Sequence, residues 1–298
     1  MEITLKEQLV YLVSCGVTYK WQMQYLQACA KGDHSEPASL ADCQRMLRSI
    51  PGADGGYRMV NFFKVADCYD SLLELSQQVF IIGEAVYPKL WYETAQPPLV
   101  LFYAGDLSML QRPKVSIVGT RKMTPYGAEV TKAFIKEFAK QNWIAVSGLA
   151  HGIDSTVHQA AIEAGNKTTI AIIPTGIQQV YPKEHRAMQE QLGQHHLVIS
   201  EYLPSSLAQR HHFVLRNRLV AGISPATLVI EAAKKSGSLI TANYALQENR
   251  EVFALPGRIK DSQSSGCNEL IAAGARPILS VGQTIWELAE LFQNQGHI

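Results

Sequence analysis

The five cysteines of this 298-residue chain, Cys15, Cys29, Cys43, Cys68 and Cys267, include no C-x-x-C pair, and their odd number does not suit a disulfide scaffold. A reduced compartment fits them. No stretch approaches 18 consecutive apolar residues, and the start, MEITLKEQLVYLVS, has no apolar run behind a basic cluster, so neither a membrane span nor a secretory leader is expected. An excess of charge is missing too: 27 Lys and Arg against 26 Asp and Glu leave a net charge of +1, which excludes a uniformly basic surface and permits only a local basic groove. Neither the Walker pattern nor G-x-G-x-x-G occurs, so a phosphate site here would be of an unusual kind. With 47% apolar and 18% charged residues, what remains is a globular, cytoplasmic protein long enough for one large domain and a small one.

Two stretches stand out, Lys114 to Gly127 (KVSIVGTRKMTPYG) and Trp143 to Asp154 (WIAVSGLAHGID). Each reads as a buried strand running through a glycine turn into a helix N-terminus, where unpaired backbone N–H groups attract phosphate or carboxylate. In the first, Gly119 makes the turn and Arg121 and Lys122 add charge. In the second, Gly148 and Gly152 flank the loop and Asp154 is expected to cap the helix. Residues 1–105 hold 8 Lys and Arg against 11 Asp and Glu, and residues 106–298 hold 19 against 15, so the basic half carries both loops.

Residues 1 to about 79 read as a small helical module: EQLVYLV, YKWQMQYLQACA and LADCQRMLRS repeat apolar residues at three- and four-residue spacing, with breaks at Gly16, Gly32 and Pro51-Gly52. Such a module either binds nucleic acid, as helix–hairpin–helix relatives do, or simply packs; its acidic balance favours packing. Val79 to Gly105, rich in proline and aromatics, leads into LVLFY, expected as an edge strand. Beyond it, VSIV, IAVS, TTIAII, LVIS, ATLVIE, EVFAL and PILS alternate with helical patterns such as GAEVTKAFIKEFAKQ, STVHQAAIEAG, LITANYALQEN and IWELAELF. Buried runs alternating with amphipathic helices predict a doubly wound, mostly parallel α/β sheet of Rossmann type, with ligands at the carboxyl ends of its strands.

Three more motifs fall in that half. IQQVYPKEHR contributes Lys183 and Arg186, or is only a solvated turn. HHFVLRNR interleaves basic residues with Phe213 ahead of an apolar helix, LVAGI; Arg216 and Arg218, two apart, cannot share a helix face. EAAKKSGSLITA opens a helix at Ser236, Gly237 and Ser238, behind Lys235, and can present hydroxyls and N–H groups to phosphate. Asp154 and Glu231 suit a helix cap and a strand-end carboxylate better than a catalytic pair. His158, four residues after Asp154, suits a local contact with it. The pairs His195-His196 and His211-His212 lack acid or cysteine partners at metal-ligand spacing.

The succession YPKLW…PPLVLFYAGD, VSIVGTRKMTPYG, VSGLAHGIDSTVH, GIQQVYPKEHR, VISEY, RNRLVAGIS, EAAKKSGSLITANYAL, REVFALPG and GCNELIAAGA resembles the DprA/Smf family (DNA-processing protein A) over nearly all of residues 80–280. The resemblance implies a homodimeric single-stranded-DNA-binding protein, not an enzyme and without a cofactor. Such a protein protects incoming strands in natural transformation and hands them to the recombinase RecA. It implies an extended Rossmann-like domain over 80–298 and, more weakly, a SAM-like helical domain over 1–79. Matched motif by motif, it points to Gly119, Thr120 and Arg121; to Lys183; to Arg216, Asn217 and Arg218; and to Ser147 through Asp154. Within that last element His151 stands where relatives often carry Arg or Lys, which lowers the charge there at neutral pH. Cys267 matches a structural position, and dimerisation is expected around Val252 to Ala275. The chain stops at Ile298, so the winged-helix-like domain that some relatives carry after this point is not expected here.

Taken together, the expected DNA surface is a shallow groove of Gly119, Thr120, Arg121, Lys122, Tyr126, Gly127, Ser147, Gly148, His151, Gly152, Lys183, Arg216, Asn217, Arg218, Lys235, Ser236, Gly237 and Ser238. Tyr126 and Phe213 are its candidate stacking rings, although Tyr126 equally suits packing of its loop. The rival reading is a Rossmann-like nucleotide hydrolase, using the same loops with Glu231 as its acid. A purely structural adaptor would leave the basic loops without a role.

Overall fold

The computed structural model describes residues 3–31, 39–49, 69–165 and 167–294. The breaks expected at Gly32 and Pro51-Gly52 lie outside the described residues. The chain divides into two compact units, Met1–Glu84 with Pro98–Phe102, and Ala85–Pro97 with Tyr103–Ile298.

The first unit holds α1 (Leu5–Ser14), α2 (Tyr19–Lys31), α3 (Leu40–Ser49) and α4 (Tyr69–Gln77), followed by β1 (Val79–Ile81). Helix α1 starts at a capping box: Thr4 Oγ1 accepts from Glu7 N at 3.3 Å while Glu7 Oε2 accepts from Thr4 N at 2.6 Å. Gly16 ends this helix with φ +74°, the left-handed conformation glycine adopts without steric cost. The Tyr25 hydroxyl donates to Gln8 Oε1 at 2.8 Å, so the buried phenol between these helices is satisfied.

In the second unit the predicted α/β alternation is present. A short helix, α5 (Lys89–Tyr92), precedes β2 (Val100–Gly105), which runs from the first unit into the second. Then follow β3 (Lys114–Val118), α6 (Pro125–Gln141), β4 (Ile144–Ser147), α7 (Ile153–Glu163), β5 (Thr169–Ile172), α8 (Arg186–His195) and β6 (Leu197–Ser200). The chain ends with α9 (Arg210–Gly222), β7 (Ala226–Val229), α10 (Gly237–Gln247), β8 (Glu251–Ala254), α11 (Ser265–Ala272), β9 (Arg276–Pro277) and α12 (Val281–Asn294). The strands form one sheet in the order β1-β2-β6-β5-β4-β3-β7-β8-β9. From β6 to β9 every pairing is parallel, and β1 and β2 are antiparallel with Val79 opposite Phe102.

LVLFY is not the edge strand it was expected to be. Val79-Phe80-Ile81, all buried, forms β1 outside it; a three-residue strand leaves too short an alternation to read in sequence. Of PILS only Pro277 lies in a strand, as the second residue of β9. HHFVLRNR is not a loop ahead of a helix but lies within α9 itself, which runs from Arg210 to Gly222.

Strand order runs outward from β3 through β4, β5 and β6 on one side, and through β7, β8 and β9 on the other. The crevice between β3 and β7 is therefore the switch point of the sheet, where ligands of doubly wound folds bind. One face beneath it is packed by Val115, Ile117, Ala145 and Leu228 against Phe134, Phe138, Trp143, Leu288 and Phe292. The ring centres of Phe138 and Trp143 lie 5.7 Å apart, and Trp143 meets Phe292 edge-on at 4.8 Å. Phe138→Ala removes a fully buried ring from this face; it is expected to destabilise the protein by about 3–5 kcal/mol, read as a lowered urea midpoint.

Candidate functional site

An open cleft of about 590 Å³ lies at the switch point, lined by Gly119 to Lys122, Gly148, Asp154, Phe213, Arg216, Asn217, Lys235 to Ser238 and Gln263. Each loop is brought to it by a specific close contact. A Cβ on Gly119 would lie 2.4 Å from Ile153 Cγ1, so only glycine lets the chain leaving β3 press on the first turn of α7. The loop is then pinned: Thr120 N donates to Glu231 O at 2.7 Å, and Thr120 Oγ1 donates to Gln263 Oε1 at 2.7 Å and accepts from Lys122 N at 3.1 Å. Arg121 and Lys122 are left exposed, with the Arg121 guanidinium 5.8 Å from the Phe213 ring centre. On the far wall Ser236 caps α10, accepting from Ser238 N at 3.4 Å, and the first N–H groups of that eleven-residue helix stand beside the exposed Lys235. Among the described residues no carboxylate lies within 4 Å of the cationic ends of Arg121, Lys122, Lys183 or Lys235.

Below this basic rim the chemistry changes. Arg216 is buried, and its Nη1 donates to the carbonyls of Gly148, at 2.5 Å, and Ile172, at the carboxyl ends of β4 and β5 where their loops begin. Gly148 has to be glycine, since a Cβ there would lie 2.3 Å from Arg216 Nη1. Burial pulls the Arg216 pKa down, and the neighbouring Asp154 opposes that shift. Asp154 is buried as well; burial raises its pKa while Arg216, Ala150 N, the Ser147 hydroxyl and Arg121 hold it down. Asp154 is not the helix cap. The cap is Gly152, at φ +79°, where a Cβ would meet Thr120 O at 2.3 Å, so the Asp154 carboxylate sits in the first turn of α7 and accepts from Ala150 N at 3.4 Å.

The remaining predicted residues are distributed unequally. His151 and Lys183 line a second cleft of about 520 Å³ with Tyr181, Glu184 and Leu207. His151 Nε2 is 3.9 Å from Glu184 Oε2, and its ring lies edge-on to His185 at 4.7 Å. Phe213 of the first cleft meets Tyr181 of the second edge-on at 5.0 Å, so the two clefts share an aromatic border. Tyr181 was missed in the sequence, although it stands beside Pro182 and Lys183 in a motif already singled out.

Ser147 faces inward, donating to Ile117 O at 2.7 Å. Gly127 packs on Glu231, where a Cβ would lie 2.4 Å from Oε2. Tyr126 is half exposed, outside the lining of either cleft. Arg218 points away from the cleft altogether: its Nη2 donates to both oxygens of Glu201 at 2.5 and 2.6 Å, and its Nη1 to Gln96 O at 2.7 Å. Two residues along a helix turn about 200°, which puts Arg216 under the loops and Arg218 behind them.

The other candidates also find internal partners. Glu231 is buried, and its carboxylate accepts from Thr124 N at 2.8 Å and Thr124 Oγ1 at 2.5 Å, holding the residue that caps α6. His158 does not contact Asp154; its Nδ1 is 2.8 Å from Thr169 Oγ1, and burial holds its pKa near 3. His212 stacks on Tyr202 at 3.8 Å, burial takes the pKa of His196 to about 4, and burial pushes that of Cys267 up to about 12. Among the described residues no group of three or more His, Cys, Asp or Glu is disposed to hold a metal ion.

Replacing Arg216 by alanine strands the Gly148 and Ile172 carbonyls and leaves the Asp154 charge without its partner, with an expected loss of about 3–5 kcal/mol at pH 7. Burial gives the Asp154 carboxyl a higher pKa folded than unfolded, so its contribution is fully present below the unfolded value of about 3.9 and is lost as pH rises through the folded value. Without Arg216 the folded pKa climbs further. The stability gap between wild type and Arg216→Ala, measured by urea unfolding, is expected to widen from about pH 4 to about pH 7.

The model of the DNA recombination-mediator protein A family matches residues 78–289. The chain is 41% identical over 210 residues to DNA processing protein DprA of Bacillus subtilis, covering 70% of each chain. It is 40% identical over 227 residues to DNA processing protein DprA of Streptococcus pneumoniae, covering 76% of this chain and 79% of that one. The X-ray structure of the S. pneumoniae protein superposes with a TM-score of 0.83 at 35% identity, over 96% of this chain and 99% of the other. DNA processing protein A from Helicobacter pylori, described for its single-stranded-DNA binding mode, superposes with a TM-score of 0.65 at 33% identity, over 72% and 96%. A family match spanning both loops and the switch point, with relatives at this identity over most of their length, establishes that the chain belongs to the DNA recombination-mediator protein A family.

Proposed function

We propose that this protein binds single-stranded DNA in the switch-point cleft and continues it past the Phe213–Tyr181 border into the second cleft. The observation that carries this reading is the rim of unpaired cations, Arg121, Lys122 and Lys235, over an open cleft beside the N-terminus of α10. Phosphates are held by Arg121, Lys122, Lys235 and the N–H group of Gly237, with Ser236, Ser238 and Asn217 as hydroxyl and amide partners, while Thr120 holds the Arg121 loop in place through Gln263. Lys183 and His151 serve the second cleft, and bases rest on Phe213 and Tyr181. Gly119, Gly127, Ser147, Gly148, Gly152 and Arg216 act beneath the strand by shaping the loops. The single-stranded-DNA binding described for the H. pylori relative supports the same substrate.

On this reading the protein is a non-enzymatic mediator that protects incoming strands in natural transformation and loads RecA onto them. It works in the cytoplasm as a homodimer formed around Val252 to Ala275. Residues 1–79 make up a SAM-like module, and residues 80–298 the binding domain. The hydrolase alternative needs a free acid in the cleft, and nothing favours it: both Glu231 oxygens accept hydrogen bonds from Thr124, and Glu231 does not line the cleft.

Arg121→Ala is expected to weaken single-strand binding equally at every sequence and to reduce the slope of log affinity against log salt by about 0.7. Fluorescence anisotropy of labelled oligonucleotides across a salt series measures both. An unchanged affinity and slope would remove Arg121 from the binding surface.

A further inference from the structure

The strand that ends at the switch-point cleft starts at another cavity. Val118, the last residue of β3, lines the cleft, and Lys114, the first, lines a cavity of about 130 Å³, so the two residues lie about 13 Å apart at opposite ends of one strand. The apolar walls of this cavity are Tyr87, Leu90, Leu110, Ile223, Pro225 and Phe292. Lys89, Arg112 and Lys114 are the charged residues of its lining, and no acid stands among them. None of the three belongs to the DNA site.

Lys114 is held in place but not neutralised. Its half-buried ammonium donates to Leu110 O at 2.7 Å and to Arg112 O at 2.8 Å, carbonyls at the end of the 3-10 turn Leu107–Gln111. An ammonium carries three N–H donors, and the third has no acceptor among the described residues. Nor, among those residues, does a carboxylate lie within 4 Å of the cationic ends of Lys89, Arg112 or Lys114. Arg112 is committed to the carbonyls of Asn142 and Lys167, and the acid that acts on it, Asp106, is bound to Lys167 at 2.7 Å. Burial pulls the Lys114 pKa down to about 8, and no acid opposes that shift.

We propose that this cavity binds a compact organic carboxylate, with one oxygen on the Lys114 ammonium and an apolar body of about one ring against Leu110, Ile223 and Phe292. The carboxylate supplies both things that Lys114 lacks, an acceptor for its third N–H and a counter-charge, in a charge-assisted hydrogen bond. Lys89 and Arg112 strengthen the field for an anion and repel a cation. Size limits the body: a cavity of about 150 Å³ holds benzene, and pockets for drug-sized ligands start at about 300 Å³, so a single-ring or short branched acid fits and a nucleotide does not. The site stands apart from the single-strand reading, since the two linings share no residue.

The test titrates the full chain at about pH 7 with benzoate, benzyl alcohol and acetate, read by saturation-transfer NMR. Benzoate is expected to bind roughly tenfold more tightly than benzyl alcohol, which keeps the ring and lacks the charge, and than acetate, which keeps the charge and lacks the ring. Lys114→Met, its fold checked by thermal melting, is expected to lose the preference for benzoate over benzyl alcohol, and Arg121→Ala to retain it. Should Lys114→Met not fold, wild type serves instead: benzoate is expected to slow acetylation of Lys114 by N-hydroxysuccinimidyl acetate, read by peptide mass spectrometry, and benzyl alcohol is not. No binding of benzoate, or binding no tighter than that of either other probe, overturns the proposal. So does a preference that survives in Lys114→Met, or acetylation of Lys114 that benzoate leaves unchanged. A preference lost in Arg121→Ala assigns the anion to the switch-point cleft and overturns it as well. None of these readouts depends on whether the protein binds DNA.

Discussion

The buried Arg216 guanidinium is the contact around which the binding loops are set. It joins the ends of two loops through the carbonyls of Gly148 and Ile172, and it lies close enough to Asp154 to oppose the effect of burial on that acid. A charge so enclosed is tolerable only because its hydrogen bonds and its counter-charge are supplied internally. The consequence is a division of labour in which one arginine fixes the backbone while Arg121, Lys122 and Lys235 remain on the rim. The internal glycines follow from the same closeness: at Gly119, Gly148 and Gly152 a side chain would collide with Ile153, Arg216 or the Thr120 carbonyl.

Such a frame leaves little for chemistry and much for attraction. Glu231 is committed to Thr124, and the titratable groups beneath the rim are paired or pushed toward neutrality by burial. What faces solvent is positive charge, helix N–H groups and two aromatic rings in edge contact. Those elements suit phosphate and base faces and not base edges, in keeping with the proposed sequence-indifferent single-strand binding.

Much of this was legible in the sequence where one physical signal dominated. Apolar runs of four or five residues alternating with amphipathic helices gave the parallel sheet, and strand–glycine–helix junctions gave both loops at the switch point. Legibility failed where a residue's role depends on a distant partner. Arg216 and Arg218 look equivalent in RNR, yet one lies under the loops and the other is paired with Glu201, a difference set by helix register and by what the fold brings opposite. Asp154 looked like a cap, and the approach of Thr120 to Gly152 took that position. His158 found Thr169, eleven residues on, rather than Asp154. Tyr181 is hard to single out because its motif stands out by charge, and only the fold brings its ring against Phe213.

The proposed rim attracts a flexible single strand rather than nucleic acid in general. The most direct measurement is competition at fixed salt: wild-type protein bound to a labelled single strand, challenged with unlabelled single-stranded or duplex DNA of equal length. The single strand is expected to displace the probe at far lower concentration than the duplex, whatever its sequence. Equal displacement by both forms would contradict it.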